Sequence, residues 1–183
     1  MDIFQAIFLA LVQGITEFLP VSSSGHLILA SNLIGWADQG LAFDVAVHLG
    51  SLVAVIIFFR KDLTRLTISW LASIFKRHVD GDAILAWQLV VVTIPTSVVA
   101  WVFSDFIEMH FRSLSVVASA TIFFGLLLGL ADISRETDAP SESLSWRDSF
   151  LLGCAQICAL VPGASRSGVT MAAALALGYS RNV

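Results

Sequence analysis

The sequence predicts an all-α integral membrane protein that crosses the bilayer several times and carries two re-entrant helical hairpins related as inverted repeats. Three observations carry this expectation. Of 183 residues, 57% are apolar and only 13% are charged, with a mean hydropathy of +0.85; soluble domains carry charge on roughly a quarter of their residues. Two apolar stretches, one near each end, are too short to span and are each broken by a polar turn rich in serine and glycine. Those two stretches also correspond to one another at a fixed offset. The whole chain is expected to form a single membrane domain.

Composition narrows the function as well. The net charge of −4 is small and scattered, with no basic stripe, which argues against a nucleic-acid partner. The start M-D-I-F-Q lacks the basic region of a cleaved signal peptide, so the first hydrophobic segment is expected to stay. Cys154 and Cys158 lie four apart in an apolar run with no other ligands nearby, the pattern of buried bystander thiols rather than of a metal or redox site.

Taken in order, Asp2 to Phe18 is apolar but interrupted by Gln5, Gln13, Gly14, Thr16 and Glu17, and Pro20 ends it. A clean span needs about 20 apolar residues. His26 to Trp36 is shorter still, so residues 1–36 are expected to form a hairpin that enters and leaves on one side; a single kinked helix is the alternative. Phe43 to Phe59 is the first full span. Asp44 and His48 share a face near its outer end, either bordering a wet cavity or serving as caps and interhelical hydrogen bonds. Arg60, Lys61, Arg65, Lys76 and Arg77 make 60–83 the most basic loop, and the positive-inside rule places it in the cytoplasm; Ile68 to Phe75 is expected to lie along the interface.

Ile84 to Phe103 is the second span and contains Pro95, which membrane helices tolerate where neighbours satisfy the freed carbonyl. The link with Asp105, Glu108, His110 and Arg112 reads as external. Val116 to Ala131 is the third span, in which Gly125 and Gly129 suggest a helix-packing face. Asp132 to Asp148, with Pro140, is expected to be a cytoplasmic loop. Residues 149–180 repeat the hairpin pattern: Phe150 to Val161, the turn Pro162 to Gly168, then Val169 to Tyr179. The sequence closes with Arg181-Asn182-Val183, where another span would begin.

Sliding the chain by 143 positions places Gln13 on Gln156, Ser22 on Ser165, Ser24 on Ser167, Gly25 on Gly168 and Gly35 on Gly178. Three spans separate the copies, and an odd number reverses direction. The first hairpin would then dip in from outside and the second from the cytoplasm, with tips meeting near the midplane.

Brought together, the two turns supply Gln13, Glu17, Ser22, Ser23, Ser24, Gly25 and His26 from the first, and Ser165, Arg166, Ser167 and Gly168 from the second. Arg166 offers a permanently charged planar fork for phosphate or carboxylate, and glycine-flanked helix N-termini add N–H donors and partial positive charge. A serine beside a histidine and a carboxylate can be a nucleophile with an acid–base partner. Glu17 could instead hold a divalent cation, which beside phosphates needs only one or two carboxylates. Each residue also has a plainer role: serines as caps, Glu17 paired with Arg166, His26 as a structural donor. A phosphatase, an anion transporter or flippase, and a non-catalytic binding module all remain open on this inventory.

At these residues the chain resembles the undecaprenyl-diphosphate phosphatase family of the bacitracin-resistance type. Q-G-I-T-E with L-P-V-S-S-S-G-H matches its E/Q-xxx-E and PVSSxGH motifs, F-D-V-A-V-H-L-G-S-L-V-A-V its next helix, and L-V-P-G-A-S-R-S-G-V-T its PGxSRSG motif. The resemblance implies a multi-pass enzyme of the bacterial inner membrane, with its site opening to the external face. It implies removal of the terminal phosphate of undecaprenyl diphosphate, which returns the lipid carrier to peptidoglycan synthesis and confers bacitracin resistance. It also implies a divalent cation, Mg2+ or Ca2+. By motif, Ser23 would be the proposed nucleophile, with a covalent phosphoserine and direct attack by water both left open, His26 a proton-transfer partner, Glu17 a metal-binding or orienting group, and Arg166 the ligand of the diphosphate. Ser22 and Ser165 would be hydrogen-bonding neighbours, and Gln13 stands where the family often has glutamate. Family members continue through three further spans, so the last part of the second repeat would lie beyond this sequence, and a truncated, inactive lipid-binding remnant is the other reading. Membrane lipids are expected neighbours, and the sequence leaves room for a homo-oligomer.

Overall fold

A computed structural model describes residues 2–134 and 143–180. Eight α-helices and one 3-10 turn account for its regular structure among the described residues. Helix α1 (Ile3–Thr16) opens with a capping box in which Asp2 accepts from the Gln5 N–H and the Gln5 side chain answers the Asp2 N–H, satisfying two otherwise orphaned donors. Helix α2 (Ser23–Ile34) ends at Gly35, whose left-handed φ of 76° suits the residue that closes a helix.

Three long apolar helices follow: α3 (Gly40–Phe58), α5 (Gly81–Phe111) and α6 (Leu114–Ile133). Each has the length and hydropathy to cross a bilayer, and only 6%, 22% and 11% of their most apolar windows are buried within the protein. Apolar surface left open on this scale is what a lipid-facing helix presents. The chain is therefore a polytopic, all-α membrane protein.

Several boundaries differ from those the sequence suggested. The stretch expected as a basic loop is largely helix α4 (Arg60–Phe75), packed on the start of α5. Arg65 pairs there with Asp82 at 3.0 Å, Ser69 bonds Asp80 and the Trp87 ring N–H bonds Ser73. Alternating charged and apolar side chains dilute the hydropathy of α4 without disturbing its helical spacing. Helix α5 outruns its expected span at both ends, so the Asp105–Phe111 link is helical. Its break in helical geometry falls at Phe103, not at Pro95.

Helices α7 (Trp146–Gln156) and α8 (Arg166–Leu177) flank a 3-10 turn at Ile157–Leu160. Helix α7 lies hard against α5: a Cβ on Gly153 would fall 2.6 Å from the Val92 carbonyl, and Thr96 donates to the Gly153 carbonyl at 3.1 Å. Gln88 reaches the Leu144 carbonyl in the same seam. Gly125 and Gly129 make no comparable approach, because a Cβ at either would meet open space; they border a groove between α6 and α8. Cys154 is half-buried and Cys158 exposed, both as free thiols. Residues 135–142 of the loop expected over 132–148, including Pro140, and the final three residues lie outside the described residues.

The repeat holds at the level of single atoms. Helices α1 and α7 begin at residues 3 and 146, and α2 and α8 at 23 and 166, an offset of 143 in both cases. Asp2 caps α1 through the Gln5 N–H, as Ser145 caps α7 through the Asp148 N–H. Ser22 and Ser165 cap α2 and α8 through Gly25 and Gly168. Gly35 and Gly178 close them with positive φ, and the next residues, Trp36 and Tyr179, bond back to the carbonyls of Ser31 and Ala174.

Candidate active site

Pro20 and Pro162 stop the helices that enter the two turns, and each turn must redirect the chain within a few residues. In the first, Ser22 takes φ 63° and ψ 93°, a conformation costly for a residue with a side chain and typical of functional turns. Its hydroxyl accepts from the Gly25 N–H at 3.3 Å and lies 3.4 Å from the Ser24 hydroxyl. In the second, Gly163 takes φ 99°; the Ser165 hydroxyl accepts from Gly168 at 3.2 Å and lies 3.0 Å from that of Ser167.

The turns touch. A Cβ on Gly25 would sit 3.4 Å from the Gly163 Cα, and one on Gly168 would sit 3.5 Å from the Pro20 carbonyl. At both positions the two backbones lie in van der Waals reach of one another. Thr121 of α6 clamps the second turn by donating to the Gly163 carbonyl at 3.1 Å.

Between them lies a polar cavity of about 100 Å³ lined by Glu17, Ser22, Ser23 and Ser24 from the first turn and by Ser165, Arg166 and Ser167 from the second. His48 of α3 completes the wall. Helices α2 and α8 begin at Ser23 and Arg166, so both positive helix ends meet at this cavity. Among the described residues the Arg166 guanidinium forms no ion pair, and it is exposed at the opening. The set is an anion cradle with one carboxylate in it.

That carboxylate is the most heavily engaged group of the site. Oε2 of Glu17 accepts from the Ser23 hydroxyl at 2.5 Å and from Nε2 of Gln13 at 2.8 Å, and Nε2 of His48 stands 3.5 Å away. A hydroxyl donating to a carboxylate is a charge-assisted hydrogen bond and points the serine proton at a base.

Sequence and structure part over the histidines. His26 turns its Nδ1 onto the Ser22 carbonyl at 2.9 Å and does not line the cavity. His48, expected only to border a wet cavity or to cap, is the imidazole that meets Glu17. Gln13 is 1% exposed and sits behind Glu17, outside the cavity wall. Gly25 and Gly168 serve through turn-to-turn packing. Asp44 is buried and receives Nη1 of Arg112 at 3.1 Å and Nε2 of Gln39 at 3.0 Å. Arg112 also grips Asp38 at 2.9 Å. Burial alone would pull the Arg112 guanidinium down, but hydrogen bonds and charge from Asp38, then Asp44, hold it above its ordinary value.

Gln13 and Glu17 are the residues that could hold a divalent cation. Oε1 of Gln13 is buried with no hydrogen-bond partner, beside a carboxylate that uses only Oε2 for the contacts above. An orphaned buried acceptor is costly, and a cation would satisfy it. Among the described residues no three His, Cys, Asp or Glu side chains converge. One carboxylate, one amide oxygen and substrate phosphates form the sparse oxygen set that Mg2+-type sites use.

A second groove, about 400 Å³, opens from the cavity and shares Ser24, His48 and Arg166 with it. Leu41, Val45, Ala100, Ile107 and Leu160 give it apolar walls.

Comparison with known proteins gives the family. The model of the family described as bacitracin resistance protein BacA matches residues 6–183. Undecaprenyl-diphosphatase 2 of Stutzerimonas stutzeri (strain A1501) is 56% identical over 185 residues, which cover 100% of this chain and 68% of that protein. Undecaprenyl-diphosphatase of Thioalkalivibrio sulfidiphilus (strain HL-EbGR7) is 51% identical over 181 residues, covering 99% of this chain and 68% of that protein. With a family match over nearly its full length and two such relatives, the chain belongs to the bacitracin resistance protein BacA family.

Proposed function

We propose that this chain is an undecaprenyl-diphosphate phosphatase, hydrolysing its substrate to undecaprenyl phosphate and inorganic phosphate. It would thereby recycle the lipid carrier for peptidoglycan synthesis and confer bacitracin resistance. The observation that carries the reading is the meeting of Ser23, Glu17 and Arg166 at one polar cavity. Similarity to relatives named undecaprenyl-diphosphatase supplies the substrate, and the apolar groove beside the cavity suits the first isoprene units of a polyprenyl chain.

Ser23 attacks the terminal phosphorus as its proton passes to Oε2 of Glu17, and the bond from that phosphorus to the bridging oxygen breaks, releasing undecaprenyl phosphate. Arg166 and the N-termini of α2 and α8 hold the non-bridging oxygens, where charge must be stabilised. Water then attacks the phosphorus, the bond to Ser23 Oγ breaks, and that oxygen recovers a proton. Ser22, Ser24, Ser165 and Ser167 keep the turn hydroxyls in place, while His26 braces the first turn through the Ser22 carbonyl. Mg2+ or Ca2+ would be held by Glu17 and the Gln13 amide oxygen, and when bound it would neutralise phosphate charge.

The reading places the protein in the bacterial inner membrane, with the two hairpins entering from opposite faces and the cavity opening to the exterior. The basic α4 region would then be cytoplasmic. Phosphate release from undecaprenyl diphosphate by the purified chain tests the activity. Release by wild type, lost in Ser23→Ala and Arg166→Ala with membrane insertion intact, supports it; full turnover in those variants refutes it.

A further inference from the structure

We infer that His48 is a positioning residue of this reaction: it holds Glu17 in register with Ser23 from helix α3, which the Arg112–Asp44 pair ties to its neighbours. The inference rests on the hydrolase reading for its consequence but on geometry for its substance. His48 Nδ1 lies 2.6 Å from the Asp44 carbonyl. A carbonyl only accepts, so Nδ1 carries a hydrogen and the ring orientation is fixed. Nε2 is thereby aimed at Oε2 of Glu17, 3.5 Å away, the same oxygen that receives the Ser23 hydroxyl. Gln13 approaches that oxygen from within α1, and His48 approaches it from α3. Two supports from two helices leave the carboxylate one place to stand.

The support extends outward. Asp44, one turn before His48, is buried and bound by Arg112 from the end of α5 and by Gln39. Gln39 in turn accepts from Ser31 of α2 at 2.7 Å, the helix that Ser23 begins. The helix that carries the imidazole is thus tied by a polar network to α2 and α5, and a misplaced catalytic group costs rate more than binding.

Histidine-to-alanine and histidine-to-glutamine variants separate this role from a general structural one. His48→Ala is expected to lower kcat about 10- to 100-fold, as losses of supporting contacts do, with KM within about twofold of wild type. His48→Gln places a side-chain amide at the Nε2 depth and is expected to regain most of the lost kcat. A His48→Ala kcat within about twofold of wild type, or a His48→Gln variant no better than alanine, overturns the role. The contact is read without turnover from 15N-histidine spectra of the chain in bilayers. Glu17→Gln should move the His48 Nε2 resonance and leave His26 in place; movement of His26 alone overturns the inference. Absence of phosphate release by wild type would instead refute the hydrolase reading, leaving the spectra to decide the contact.

Discussion

Replacing Gly163 with alanine puts a methyl group where the structure has no room for one. The new Cβ would stand 2.3 Å from the Val117 carbonyl and 3.0 Å from the Thr121 hydroxyl, on a residue whose φ is 99°. A side chain in that region of backbone space costs about 1–3 kcal/mol. Relieving the overlap moves the turn away from α6 and sacrifices the Thr121 hydrogen bond to the Gly163 carbonyl, worth about 1 kcal/mol. The expected loss is therefore about 2–4 kcal/mol, or roughly 4–16 °C in unfolding temperature for a chain of this size. Arg166 is carried on the displaced turn, so phosphate release should fall with it. The assay is thermal unfolding in detergent micelles beside Gly14→Ala, a helical glycine whose Cβ would meet nothing and where alanine should gain up to about 1 kcal/mol. If Gly163→Ala unfolds at the temperature of Gly14→Ala, the turn packing described here is wrong.

Arg166→Lys keeps a positive charge but loses the planar fork, and kcat/KM for undecaprenyl diphosphate should fall about 10- to 100-fold, measured by phosphate release. Arg112→Ala strands the buried Asp44 carboxylate, with an expected cost of about 3 kcal/mol; adding Asp44→Asn should recover part of it, and chemical unfolding of wild type and the two variants measures both. Asp148 accepts from Ser145 and Tyr179 at 2.7 and 2.8 Å, and those bonds, Ser145 first, hold it below the usual carboxylate range. A lowered folded value means the stabilisation is complete above about pH 4 and disappears as pH falls through the folded value. The gap in unfolding temperature between wild type and Asp148→Asn should accordingly close in acid; a gap that widens below pH 4 contradicts the assignment.

Much of this molecule was readable before any coordinates. Serine and glycine turns inside oil, and an offset that aligned Ser22 with Ser165 and Gly35 with Gly178, marked the repeat, because caps and left-handed closures are dictated by residue type. Ser23, Glu17 and Arg166 were legible for a related reason: polar and ionisable groups are expensive in so apolar a chain. The placement of the histidines was not. His26 is adjacent to the serines in sequence, but its Nδ1 lies on a carbonyl four residues earlier and the ring does not line the cavity. His48 is separated from Glu17 by 31 positions, and only the packing of α3 on α1 brings them together. Helix α4 was hidden differently, since charges at helical spacing average to the composition of a loop.

The claim on which the rest depends is that the two turns act on one headgroup. A double-mutant cycle on phosphate release, with Ser23→Ala, Arg166→Ala and the pair combined, addresses it directly. Groups that serve one transition state are strongly non-additive, so the double variant should be little worse than the more damaged single one. Losses that multiply independently would place Ser23 and Arg166 at separate sites and contradict the account.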